Sequence, residues 1–273
     1  DWLLGMNATR LYTLKYGQNR QVLSIGRVQT PTLALVVNRY LEIQNFKPTP
    51  YWALSTVYRD TTFTAVKGKY ASETEGQVDL QSVAGKEFTI TDIGTKKGSE
   101  APPRLYDLTA LQVECNRKYG FSADQTLQTI QSLYEKKLIT YPRTDSRCLT
   151  EDMITSTVNN ILGKNDFDTG RIKTVFNSKK VTDHHAIIPT VSSLSEDLSG
   201  IPESEAKVYR LISNKLHASV GYPLVENTTK IVAEFDGFEF TSTGKVIKDE
   251  GFTKYLKEYK AKKDEDMELP DVR

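Results

Sequence analysis

The spacing of apolar residues changes character three times along the chain, and each change predicts a new kind of element. Residues 1–47 read as helical. Within them "TPTLALVVNRY" predicts a helix with Thr30 as N-cap, Pro31 at its first position and an apolar run from Leu33 to Tyr40, following the polar loop "YGQNRQ". From Tyr51 the pattern shifts to β-branched and aromatic residues in "YWALSTVYRDTTFTAVKG" and to alternation in "KEFTITDIG", both signatures of strands. Helical periodicity returns near Asp107 and holds to about Val220. Its clearest stretch, "SADQTLQTIQSLYEKKLI", carries a capping box at Ser122 and Gln125 and puts Leu127, Ile130, Tyr134 and Leu138 on one face. In "ESEAKVYRLISNKLHASVG", Val208, Leu211 and Ile212 fall together and Gly221 ends the helix. Strands then resume in "TTKIVAEFDGFEFTSTGKVI", where Asp236-Gly237 is the dipeptide favoured by a type I′ hairpin.

One β domain interrupted by a helical insertion explains this order, because the two strand segments can then pair. Two separate small β domains are the alternative. A length of 273 residues with 38% apolar content suits one or two domains with a real core. No internal repeat is visible, and residues 248–273 are densely charged in both signs. No window approaches 18 uninterrupted apolar residues, and residue 1 is Asp with no signal-peptide pattern behind it. The expectation is a cytoplasmic chain cut from something longer, with no membrane partner.

Cys115 and Cys148 stand far apart without a CxxC, which favours reduced thiols over a disulfide framework or a zinc site. A net charge of +1 gives no whole-chain argument for binding a polyanion. Any such reading rests on local sites. One is residues 1–47, where Arg10, Lys15, Arg20, Arg27, Arg39 and Lys47 face only Asp1 and Glu42, although a solvated helical face has the same makeup.

The stretch "LITYPRTDS", residues 138–146, carries the strongest chemical suggestion. A residue before proline is pushed out of the helical region, so Tyr141 should end the preceding helix and begin an extended step. Residues i and i+2 of an extended chain point the same way, which puts Tyr141 and Arg143 on one face. A phenol with a pKa of about 10 is a poor nucleophile at neutral pH, but a fixed guanidinium favours phenolate and also holds a phosphate oxygen. That pairing suits attack on a phosphodiester. Taken alone, the tripeptide reads rather as a surface turn whose Thr144, Asp145 and Ser146 bond backbone, because such tripeptides are common.

Three further stretches, "SIGRVQTPTLALV" (24–36), "APPRLYDLTALQVECNRKYGFSADQTL" (101–127) and "DHHAIIPT" (183–190), join it in order, and together the four resemble the type IA DNA topoisomerases, closest to the topoisomerase III branch. The resemblance implies a toroidal enzyme that cuts one DNA strand by transesterification, holds the 5′ phosphate on a tyrosine, passes another strand and reseals the gap. It matches Tyr141 to the nucleophile, Arg143 to the arginine that stabilises the scissile phosphate and His184 to a histidine on that phosphate. His185 is read as structural. Ser24, Arg27 and Gln29 match residues that hold the DNA backbone, with Gly26 permitting close approach. Asn7 and Arg10, with Asp1, fall where the family lines its DNA groove. Tyr106 and Asp107 are read as a packing tyrosine and an N-cap aspartate.

The fold so implied is multidomain α+β: part of a helical base domain over 1–47, a β-rich arch over 48–100 and 221–273, and an inserted helical domain over 101–220 that carries the tyrosine. The family's metal centre lies in an N-terminal Toprim domain whose Glu, Lys and DxDxE cluster have no match here. "KDEDME" at 263–268 reads as a solvated linker. No cofactor is therefore expected on these residues; Mg²⁺ is expected through the missing Toprim domain, without which the chain should be inactive or nearly so. The implied partners are single-stranded DNA and that domain, in the bacterial cytoplasm at the nucleoid. A tyrosine recombinase, which leaves a 3′ phosphotyrosine, and a non-catalytic single-strand-binding module on the same scaffold are the competing readings.

Overall fold

A computed structural model describes residues 2–18, 21–163, 167–195, 198–256 and 269. The charged stretch at 263–268 and Asp1 lie outside them. Contacts divide the chain into two compact units, residues 1–52 with 69–78, and residues 53–68 with 79–273.

The first unit contains helices α1 (Trp2–Tyr16) and α2 (Gln29–Gln44). The chain between them runs back along α1, where Thr13 and Thr9, one helical turn apart, accept hydrogen bonds from the Leu23 and Ile25 amides at 2.9 and 3.0 Å. Helix α2 starts two residues earlier than the Thr30 cap would place it, at Gln29. The Thr30 hydroxyl instead accepts from the Gly26 amide at 3.1 Å, tightening the loop in front of the helix. Among the described residues neither helix buries a side chain, and Leu33, Leu35, Val36 and Tyr40 remain exposed.

In the second unit, strands from both halves of the chain lie in one five-stranded sheet: β1 (Trp52–Tyr58), β2 (Thr61–Tyr70), β3 (Thr89–Glu100), β4 (Leu224–Phe235) and β5 (Phe238–Asp249), in the order β1-β2-β5-β4-β3. β5 pairs antiparallel with β2 and β4, and β4 antiparallel with β3. Alternation along β2 and β5 sends Phe63, Ala65 and Phe240 inward to meet Ile231 and Ala233 of β4. The β4–β5 turn has Asp236 at φ 51° and Gly237 at φ 84°, the two positive values that a type I′ turn requires.

One element lies between the two predicted strand stretches, where the sequence pattern assigned nothing. Residues Glu73–Val83 form helix α3, preceded by Ser72, whose hydroxyl accepts from the Glu75 amide at 3.3 Å. Ser72 and Glu75 are a capping-box pair, and the helix-favouring cap outweighs the β-rich surroundings.

The helical part of this unit packs α4 (Leu108–Tyr119), α5 (Ala123–Glu135) and α7 (Glu203–Val220) around Leu111, Cys115, Ile130, Leu133, Val208 and Ile212. Ser122 caps α5 by accepting from the Gln125 amide at 3.0 Å. Glu205, buried on α7, accepts from Ser132 at 2.9 Å and from Lys136 at 2.6 Å and so ties α5 to α7. A second core, of Leu105, Leu149, Val175, Phe176, Ile188 and Leu216, lies beside the first, with α6 (Thr169–Val175) on its flank. No described helix is long and apolar enough to cross a membrane.

Candidate active site

Helix α5 delivers the chain to the Tyr141 stretch by an abrupt exit. Lys137 takes a left-handed φ of 60°, its amide bonds to the Tyr134 carbonyl at 2.8 Å, and the Leu138 amide reaches back to Leu133 at 2.9 Å. This is a Schellman ending. The helix therefore stops at Glu135, before the residue preceding Pro142 has any part in ending it, and Leu138 lies beyond the helix, buried against Leu133 and Ile130.

From Tyr141 to Cys148 burial alternates strictly: Pro142, Thr144, Ser146 and Cys148 point inward, while Tyr141, Arg143, Asp145 and Arg147 point outward. Period-two geometry thus gives Tyr141 and Arg143 a common face. The inward threonines fix the segment to its neighbours. Thr140 bonds residues 186–188 three ways: its amide donates to the Ile188 carbonyl at 2.9 Å, its hydroxyl accepts from the Ile188 amide at 3.0 Å, and its hydroxyl also lies 3.2 Å from the Ala186 carbonyl. Thr144 donates to the His184 carbonyl at 2.9 Å and accepts from the Ser146 amide at 3.0 Å. The Leu108 amide bonds to the Thr144 carbonyl and the Ile187 amide to the Tyr106 carbonyl, each at 3.0 Å. Three of the four sequence stretches are in this way laced into one floor.

On that floor the Tyr141 ring sits between two aromatic neighbours. Its centroid is 4.5 Å from the His184 ring at a 48° tilt and 5.4 Å from Tyr134, which meets it edge-on at 78°. Among the described residues the Tyr141 hydroxyl and the Arg143 guanidinium make no hydrogen bond or ion pair. Both are left open to an incoming group. His184 is exposed, while His185 is half-buried with Nδ1 2.8 Å from the Ala186 carbonyl, the geometry of a structural histidine.

The second tyrosine of these motifs has a different environment. Tyr106 is buried with Lys215 4.6 Å over its ring, and burial, reinforced by Glu114, pushes its pKa above the ordinary phenol range. It stays a neutral phenol. Burial likewise holds Lys215 below the usual lysine range and raises the Cys115 thiol to about 11. Asp107 caps α4, accepting from the Ala110 amide at 2.6 Å, and its other oxygen accepts from Arg147 Nε at 2.7 Å. Sequence reasoning missed Arg147, Thr140 and Tyr134 as parts of this site, while Thr144 bonds backbone as read; alternation through "TYPRTDSRC" was the signal that could have found Arg147.

The other predicted residues lie in the first unit. Arg10 and Ser24 line one open cleft between α1 and the returning loop, and Gln29 Nε2 donates to Ser24 Oγ at 2.7 Å. Asn7 is exposed on α1 and Arg27 is exposed in the loop, neither lining that cleft.

The chain belongs to the DNA topoisomerase family, whose model matches residues 1–273, and its relatives put it with the type IA, topoisomerase III-like members. It is 38% identical over 270 residues to the DNA topoisomerase 3 of Bacillus licheniformis, covering 92% of this chain and 36% of that protein. With the DNA topoisomerase 3 of Staphylococcus aureus strain MRSA252 it shares 39% identity over 258 residues, 88% of this chain and 35% of the relative. The structure of full-length topoisomerase I from Thermotoga maritima superposes with a TM-score of 0.75 at 26% identity, covering 99% of this chain and 45% of that one. The chain thus spans little more than a third of the length of the curated relatives it matches.

Proposed function

We propose that this chain carries the strand-cleaving half of a type IA DNA topoisomerase, with Tyr141 as the nucleophile. One observation carries the reading: the Tyr141 ring is held between Tyr134 and His184 with its hydroxyl uncommitted, and Arg143 follows on the same outward face. The Tyr141 oxygen attacks phosphorus, the bond from phosphorus to the 3′ oxygen breaks, and the 3′ hydroxyl leaves with one proton. Resealing reverses the exchange, so one P–O bond replaces another and no energy carrier is consumed. Arg143 neutralises charge on the non-bridging oxygens, and His184 adds a donor beside the ring. Ser24, Arg27, Gln29, Asn7 and Arg10 hold the backbone of the single strand.

Among the described residues no group of three His, Cys, Asp or Glu side chains could hold a metal ion, and no step above passes through one. In this reading the Mg²⁺ and the acid for the leaving hydroxyl belong to a Toprim domain outside these residues, and the chain alone does not cleave.

A chimera tests this. The segment of Bacillus licheniformis DNA topoisomerase 3 that matches this chain is replaced by it, and relaxation of negatively supercoiled DNA is followed on a gel. Relaxation by the chimera, lost on Tyr141→Phe with oligonucleotide binding intact, is the expected result. A chimera that binds single strands and relaxes DNA equally well after the Tyr141→Phe change would remove the nucleophile; one that binds without ever relaxing would favour a binding scaffold.

A further inference from the structure

A second feature of the same unit is a cavity of about 310 Å³ whose wall carries four cationic side chains, Arg104, Arg147, Arg171 and Lys180, and no carboxylate among the described residues. Its floor includes Leu105 and Val175. We propose that this cavity is a phosphate-binding pocket, and that it takes a backbone phosphate of the strand handled at Tyr141.

Two of the cations are set in place. Arg171 Nη2 donates to the Pro102 carbonyl at 3.2 Å and its Nε to the Ser219 carbonyl at 3.4 Å, while Arg147 is held by Asp107 at 2.7 Å. Each guanidinium keeps further N–H groups beyond those used, since an arginine carries five. The other two, Arg104 and Lys180, are exposed and make no side-chain hydrogen bond or ion pair among the described residues. Four like charges around one small cavity repel one another, with Asp107 the one carboxylate bonded to any of them among the described residues. An anion removes that repulsion and supplies the acceptors that two guanidinium forks match in geometry. The pocket is also not the Tyr141 site itself. Arg147 follows Tyr141 by six residues of extended chain, at most about 20 Å of contour, and shares its outward alternation. A phosphate held there lies near the cleavage tyrosine without competing for it.

The source of the phosphate rests on the reading of Tyr141; the anion site does not. The test uses the full chain and the double variant Arg104→Ala/Lys180→Ala, with Lys173→Ala, an α6 change outside the lining, as control. Two quantities are read: binding of inorganic pyrophosphate, followed by amide shifts over residues 171–175, and the slope of log K against log salt for a single-stranded oligonucleotide. The expected result is that the double variant binds pyrophosphate at least tenfold more weakly and its salt slope falls by about 1, uniformly across sequences. Pyrophosphate binding lost with an unchanged slope would assign the pocket to a free phosphate ligand and overturn the strand as source. If the chain binds pyrophosphate but no oligonucleotide, the DNA reading fails while the pocket stands. Pyrophosphate binding that is absent, or equal in native and double-variant chains with the same thermal midpoint, overturns the pocket.

Discussion

Replacing Thr144 by valine removes one hydroxyl and two hydrogen bonds while leaving the side-chain volume nearly unchanged. The site is buried, and the hydroxyl both accepts from the buried Ser146 amide and donates to the His184 carbonyl. Leaving the Ser146 amide without a partner costs about 1–3 kcal/mol. Losing the bond to His184, whose residue is exposed to water, costs about 0.5–1.5 kcal/mol. The new methyl returns about 0.8 kcal/mol through burial. The sum is a destabilisation of about 2 kcal/mol, a fall in thermal midpoint of roughly 4–8 °C for a domain of this size. Thr144→Ser provides the contrast, because it keeps both hydrogen bonds and loses one methyl, about 0.8 kcal/mol. Urea unfolding followed by circular dichroism gives both values, and amide exchange at Ser146 reports the broken bond directly. A valine variant within about 0.5 kcal/mol of native, or a serine variant as unstable as valine, would refute the claim that Thr144 clips the Tyr141 segment to His184.

Three other outcomes follow from the same structure. Asp107→Ala removes both the α4 cap and the Arg147 partner and should cost about 1–2 kcal/mol in urea unfolding, whereas Asp107→Asn keeps the cap and should cost about half as much. Burial holds His217 below its ordinary pKa, so its contribution to stability is complete above about pH 6.5 and is lost as pH falls through the depressed folded value. The thermal midpoint should accordingly drop less between about pH 7.5 and about pH 5 in His217→Gln than in the native chain. Gly237→Ala places a Cβ at φ 84°, and the β4–β5 hairpin should lose about 1 kcal/mol.

How far the sequence disclosed this arrangement depended on the range of the interaction. Local features were legible: the Ser122 cap on α5, the end of α7 at Gly221 and the Asp236-Gly237 turn are set by residues within a few positions of one another. So was the outward pairing of Tyr141 with Arg143, which needs only an extended backbone. Helix α3 was missed although Ser72 and Glu75 announce it, because Val83 is its only buried residue and so thin an apolar stripe shows no periodicity. The bonds from Thr140 to Ala186 and from Thr144 to His184 span 46 and 40 residues, and spacing along a chain says nothing about such distances. The salt bridge of Arg147 with Asp107 was hidden for the same reason.

The most direct test of the central claim is to trap and map the covalent bond. The chain is mixed with single-stranded DNA labelled at one end or the other, Mg²⁺ and a separately supplied Toprim domain of a topoisomerase 3 relative, then denatured and digested with trypsin. The prediction is that the 3′-end label stays on protein, that the oligonucleotide lies on the peptide Leu138–Arg143 through a 5′ phosphate on Tyr141, and that no adduct forms without the added domain. An adduct that retains the 5′-end label, or one on another residue, would contradict the account. So would the absence of any adduct in a mixture where the added domain and the DNA are both bound.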